Sequence, residues 1–392
     1  MYKPESYEFF CPIKFSSGSR ALENIPFELE ALSARKPLII TDKNVTRRGL
    51  VRKMITAFKD SGVTIGIFDG IPDVPDMQLV TELSNIYRNG EHDAIIALGC
   101  GSIVDVAKVV NIAVSYNVKI LRDLAGDNLM AHPLGPFVLV PTLTGTGYET
   151  SKFTFIEDLT FSSYFLMPDL VVIDSRTVRS ESLQTTVATA MVALAHAAEA
   201  YTGPGKNPIT DAYAYAAIQY VKDNLITVLT KPRNKEGRLA LVNAAGMAGC
   251  AFSNMKPGLI HILGEAISAM FHIASGICMG ILLPYGLEYT IQKNGYHTYD
   301  LLLPLSGFDE YAGTAENLKA EKAVNIMYEM QQDLYKVTGK KIPRTLEEAN
   351  VPKYMVNDIA EKVFKDGARE FGIDDYRMVL EHAWEGKPMA HS

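Results

Sequence analysis

Ala94-Ile95-Ile96-Ala97-Leu98-Gly99-Cys100-Gly101-Ser102-Ile103-Val104-Asp105-Val106-Ala107-Lys108 is an apolar run that stops at two glycines and reopens with a different period. Five uncharged residues in a row read as a strand buried on both faces, and the apolar spacing from Ile103 onward reads as a helix. Closely spaced glycines between the two let backbone N–H groups and the positive helix end approach a phosphate, so Gly99, Gly101 and Ser102 form a candidate pyrophosphate cradle. The spacing is neither Gly-x-Gly-x-x-Gly nor a Walker A loop, and the same residues also make an ordinary tight strand-to-helix turn.

Working outward, short apolar runs alternate with helical patterns on both sides of the cradle. Strands are expected over 37–42, 63–68, 94–98, 137–141, 153–156 and 170–173, with helices over 51–58, 77–87 and 103–113 between them. That alternation implies a parallel sheet wrapped on both faces, with ligands at the carboxyl ends of its strands. Asp42 closes the first of these strands, where a carboxylate can accept hydrogen bonds from ribose hydroxyls and repel a 2′-phosphate; it equally suits the N-cap of the next helix. Thr142 and Thr146 follow the 137–141 strand in a loop of small hydroxyl residues and glycines, a lining suited to a nucleotide and also common in turns. From 182 the pattern turns helical, over 182–201, 209–229, 236–252, 259–271, 317–337, 356–363 and 375–384. The chain therefore divides into a dinucleotide-binding α/β domain with a parallel sheet over 1–178 and an all-α domain over 179–392, each large enough for its own core.

Composition narrows the function. A net charge of −7 without clustered Lys and Arg argues against a nucleic-acid partner. No apolar run reaches the roughly 18–20 residues of a membrane span, and Met1-Tyr2-Lys3-Pro4-Glu5 lacks the apolar core of a signal peptide. Cys11, Cys100, Cys250 and Cys278 are scattered, as suits a reducing compartment, so the expected location is the cytoplasm and the expected partner a small molecule.

In order along the chain, Leu38 to Lys43, Gly99-Cys100-Gly101-Ser102 with Asp105 and Lys108, Pro141 to Glu149, Pro168 to Asp174, His196-Ala197-Ala198-Glu199-Ala200-Tyr201 and Gly276 to Pro284 resemble the iron-containing (group III) alcohol dehydrogenases of the dehydroquinate-synthase-like superfamily. The resemblance extends over nearly the whole chain. It implies an NAD(P)-dependent oxidoreductase that interconverts a small alcohol and an aldehyde, ketone or oxo acid, often as a homo-oligomer. Carried over by motif, Asp42 would hold the adenosine ribose and favour NAD over NADP. Gly99, Gly101 and Ser102 would hold the pyrophosphate, and Asp105, Thr142 and Thr146 would complete the pocket.

The metal site departs from that pattern. The family holds Fe or Zn with one Asp and three His, and here Val192 stands for the Asp, Ser275 for the last His, and only His196 and His261 survive. Glu265 replaces a family histidine expected near the nicotinamide, and His272 lies close behind it. Three readings follow. His196, His261 and Glu265, with or without His272, rebuild a metal site in altered geometry; or the enzyme works without metal and His196, His261, Glu265 or His272 assists proton transfer. In the third, hydride chemistry is lost and the fold serves as a nucleotide-binding regulatory or structural protein.

Overall fold

Uncharged tetrads and pentads flanked by turn residues have one stable destination, the middle of a sheet covered on both faces. In the computed structural model, which describes residues 4–116, 121–178, 182–293, 297–368 and 370–389, nine strands form: β1 Lys14–Gly18, β2 Pro37–Ile40, β3 Gly66–Phe68, β4 Ala94–Leu98, β5 Gly126–Asp127, β6 Phe137–Val140, β7 Phe153–Ile156, β8 Leu159–Ser162 and β9 Leu170–Asp174. Six of them make one sheet in the order β1-β9-β6-β4-β2-β3, every neighbouring pair parallel. Every residue of β2, β4, β6 and β9 is buried, which is why these segments carry no charge until Asp174. The edge strands β1 and β3 are only partly covered, and their sequences are accordingly mixed.

The chain leaves β2 for β3 on one side and then returns to lay β4, β6 and β9 on the other. Strand order therefore reverses between β2 and β4, and a crevice opens outside the carboxyl ends of such a pair. Thr41 closes it from below: its Oγ1 donates to the Leu98 carbonyl at 2.7 Å, tying the two strand ends together. A smaller sheet, β5-β8-β7, stands apart, and β7 and β8 pair antiparallel across a tight turn in which Glu157 takes a left-handed φ of 50°.

The chain divides into two compact units, one over Phe10–Ser180 and one of Met1–Phe9 with Glu181–Ser392. The expected boundary at 178/179 abuts residues 179–181, which lie outside the described residues. In the second unit the Leu183–Thr202 helix is the central element, buried continuously from Ala190 to Thr202. It packs on the helices Pro208–Thr230, Lys235–Phe252 and Ser275–Gln292. The last of these was not expected from sequence, because Gly276, Gly280, Pro284 and Gly286 all lower helix propensity. Its packing explains the glycines: a Cβ on Gly276 would sit 1.8 Å from the Ala188 carbonyl oxygen, so only glycine allows the two helices this approach. Pro284 cannot donate to the Gly280 carbonyl, and the Gln331 side chain takes over, its Nε2 donating to Gly280 O at 2.6 Å and Ile281 O at 3.0 Å. No helix among the described residues is long and apolar enough to cross a membrane.

Candidate functional site

The α/β unit builds its site where β2 and β4 end. Gly101 follows β4 with φ +58° and nothing within 4 Å of where a Cβ would be, so the turn requires glycine and leaves open space above its backbone. The Val104 and Asp105 amides donate back to Gly101 O and start the Ser102–Tyr116 helix directly at the turn. A cavity of about 300 Å³ lies here, and its wall includes Asp42, Cys100, Ile103 and Thr142. Asp42, Thr142 and the cradle are thus brought together. Asp42 also caps the Lys43–Arg47 helix, its Oδ1 accepting from the Val45 amide at 2.6 Å, while the carboxylate remains in the cavity wall.

Asp105 is placed differently. Its Oδ1 accepts from Thr154 Oγ1 at 2.8 Å and from the Phe155 amide, so the carboxylate serves β7, and burial pushes it up to about 6. Thr146 is shaped by Glu149, whose carboxylate accepts from the Thr146 and Gly147 amides and from Thr146 Oγ1. Beneath this loop lies Lys108, 1% exposed, its ammonium donating to the carbonyls of Tyr148, Ser151 and Phe153 at 3.0, 2.8 and 3.0 Å. Burial draws the Lys108 amine down to about 8, opposed by the charges of Asp105 and Glu149. One lysine on the cradle helix therefore holds the segment that carries Thr146. Its signal in the sequence was the Asp105/Lys108 pair at i, i+3 in an otherwise apolar helix.

The helical unit brings together His196 and His261, 65 positions apart in sequence, with Nε2 of the first 3.1 Å from Nδ1 of the second. Phe252 stacks on the His196 ring at 4.0 Å and lies 4.8 Å from that of His261. Burial holds both imidazoles neutral: it draws His196 well below its ordinary value, helped by His261, and draws His261 to about 3. In a neutral pair one ring donates and the other accepts. Glu199, one turn after His196, reaches the start of the Leu259–Phe271 helix, where Oε1 accepts from the Ile260 amide at 2.7 Å and the His261 amide at 3.4 Å. Gly258, the N-cap, has no side chain for this task, and a Cβ there would collide with the Glu199 carboxylate at 2.4 Å. Burial pushes that carboxylate up to about 7. Glu265 lies one turn beyond His261 on the same helix, half-buried, and adds to the burial that holds the Cys278 thiol up at about 12. His272 ends the helix as an exposed residue with a left-handed φ of 55°.

The sequence pattern of the iron-containing alcohol dehydrogenases matches residues 12–175, and that of the family's C-terminal domain matches residues 186–373. The chain belongs to the iron-containing alcohol dehydrogenase family. As a member it is an NAD(P)-dependent alcohol oxidoreductase. Among its relatives, the choline dehydrogenase of Bacillus subtilis is 27% identical over 92% of this chain and 89% of its own. The NAD-dependent methanol dehydrogenase of Bacillus methanolicus is 27% identical over 96% and 99%. The crystal structure of a 1,3-propanediol oxidoreductase superposes with a TM-score of 0.86 at 25% identity, covering 97% of this chain and all of that one.

An iron-containing alcohol dehydrogenase implies a metal ion, and the donor set in this chain does not fit one. Val192, 1% exposed, packs against Gly276, where a Cβ would meet its Cγ2 at 2.9 Å. The neighbouring Ser275 opens the next helix. The two remaining imidazoles are hydrogen-bonded to each other, which commits the lone pair of one ring to the N–H of the other. Among the described residues no group of three or more His, Cys, Asp or Glu is arranged to hold a metal, and sites for Fe²⁺ or Zn²⁺ need three or four such ligands.

Proposed function

We propose that this chain interconverts a small alcohol and its aldehyde, ketone or oxo acid with a neutral imidazole pair, rather than a metal ion, acting on the substrate oxygen. The observation that carries the reading is the His196–His261 hydrogen bond in a setting where Val192 and Ser275 occupy the other ligand positions. The dinucleotide belongs to the α/β unit: the cradle at Gly99, Gly101 and Ser102 receives its pyrophosphate, Thr142 lines the same pocket with Thr146 further along its loop, and Asp42 accepts from the ribose hydroxyls. When bound, the nicotinamide supplies or accepts the hydride.

The helical unit supplies the groups for the proton. A buried neutral imidazole N–H polarises a carbonyl oxygen without first having to lose or gain a charge. Because each ring of the pair can donate or accept, a proton arriving at one nitrogen can be passed to the other ring. Phe252 keeps the rings in place and excludes water, and Glu199 fixes the helix start from which His261 projects. Glu265 and His272, on the same helix segment, are the further acid–base candidates of this reading.

The test is a panel of small aldehydes, ketones, 2-oxo acids and alcohols, run with NAD(H) and NADP(H) on protein whose metal content has been determined. Turnover that persists after exhaustive chelation and falls by about two orders of magnitude or more in His261→Ala is the expected result. Stoichiometric iron or zinc together with chelator-sensitive turnover would overturn it.

A further inference from the structure

Asp42 is not the only charge at the end of β2. Lys43, Arg47 and Arg48 follow it closely, all three exposed, and the first two lie four residues apart on one face of the Lys43–Arg47 helix. The cradle cavity, about 300 Å³, counts Asp42, Arg47 and Arg48 in its wall. A second cavity of about 380 Å³ lies alongside, walled by Asp42, Lys43, Arg47, Gly70 and Asp73 among others. Asp42 and Arg47 line both, so the two spaces meet where the carboxylate expected on the ribose stands. Elsewhere in the α/β unit Lys14, Arg35, Arg122 and Arg176 have carboxylate partners. Among the described residues, the side chains of Lys43, Arg47 and Arg48 make no hydrogen bond, ion pair or ring contact.

The charge balance of the second cavity departs from what Asp42 alone implies. An aspartate at a strand end repels a 2′-phosphate, whereas an arginine nearby accommodates one. Here the Asp42 Oδ1 is held by the Val45 amide, Lys43 and Arg47 offset Asp42 and Asp73 in the wall of the second cavity, and Arg48 adds a cation in the wall of the first. A guanidinium fork and an ammonium together suit a phosphate monoester, the first by two parallel N–H donors and the second as a point charge.

We propose that Lys43 and Arg47 form a phosphate subsite beside the ribose position, which takes the 2′-phosphate of NADP(H) and makes this protein a user of both dinucleotides. The inference rests on the reading of the cradle as the pyrophosphate site. It deepens that reading by assigning cofactor choice to a pair of side chains on the rim of the second cavity.

Calorimetric titration of the full chain with 5′-AMP and with adenosine 2′,5′-bisphosphate separates the two claims. The bisphosphate is expected to bind at least as tightly as 5′-AMP at low salt, and its advantage should shrink as salt rises. In the Lys43→Ala/Arg47→Ala double variant, shown by its far-UV circular dichroism melt to be folded, the ratio of Kd for the bisphosphate to Kd for 5′-AMP should rise about tenfold or more, equivalent to one or two lost charge-assisted hydrogen bonds. A protein that binds 5′-AMP but takes the bisphosphate about a hundredfold more weakly overturns the subsite and leaves the cradle intact. A ratio unchanged in the double variant overturns it as well. Failure of both ligands to bind removes the cradle reading, and the subsite falls with it.

Discussion

Replacing Lys108 by methionine tests whether one buried ammonium links the cradle helix to the loop that carries Thr146. The substitution keeps the length and apolar stem of the side chain and removes three donors, those to Tyr148 O, Ser151 O and Phe153 O. Hydrogen bonds to a charged group contribute about 1.5 kcal/mol each at the low end, so the gross loss is about 4–5 kcal/mol. Against it stands the cost of keeping the ammonium out of water. Lowering the amine from 10.5 to about 8 corresponds to about 3 kcal/mol, which methionine recovers. The balance is a destabilisation of about 1–2 kcal/mol. It should be visible as a lower urea midpoint by far-UV circular dichroism, and as faster amide exchange in peptides spanning 146–155. Nucleotide affinity should fall with it, because Thr146 loses its fixed position. An unchanged midpoint, with exchange across 146–155 the same as in the parent protein, would refute the argument that Lys108 organises this loop.

Two further expectations follow from buried groups. His261 stays neutral in the folded protein down to about 3, whereas the unfolded chain takes up a proton near 6.5, so stability should fall as pH drops from 6.5 toward 3. The slope approaches 1.4 kcal/mol per pH unit for one such group, and urea midpoints at pH 5, 6 and 7 should flatten in His261→Gln. Gln331→Leu should cost about 1–3 kcal/mol by stranding the Gly280 carbonyl, and the added change Pro284→Ala, which restores a backbone N–H for that carbonyl, should recover much of the loss in thermal melts.

The sheet was legible because burial on both faces leaves an unambiguous trace: Pro37–Ile40, Ala94–Leu98 and Phe137–Val140 contain no charged residue, and each is a strand. The Ser275–Gln292 helix was not legible, since three glycines and a proline speak against a helix locally and the compensation comes from Gln331 on another element. Leu159–Ser162 is four residues long with a polar residue at every second position, too short for its alternation to stand out from a loop. At the site, the strand, the glycine turn and the helix start around Gly101 could be read from spacing because they are local in the chain. The contact between His196 and His261 could not, because nothing in the stretch of chain between two residues 65 positions apart encodes which ring nitrogens will face each other. Likewise the Asp105 carboxylate, adjacent to the cradle in sequence, is turned to Thr154 by the 3.6-residue period of its helix and the position of β7.

The packing of Val192 beside Gly276 limits what a single metal-binding substitution could do at that position. A carboxylate introduced at 192 by a single substitution would be buried against apolar neighbours with no cation beside it, at a cost of several kcal/mol. A histidine introduced alone at 275 would gain no coordination partner beyond the existing imidazole pair. Building a four-ligand centre here would therefore take changes at 192 and 275 together.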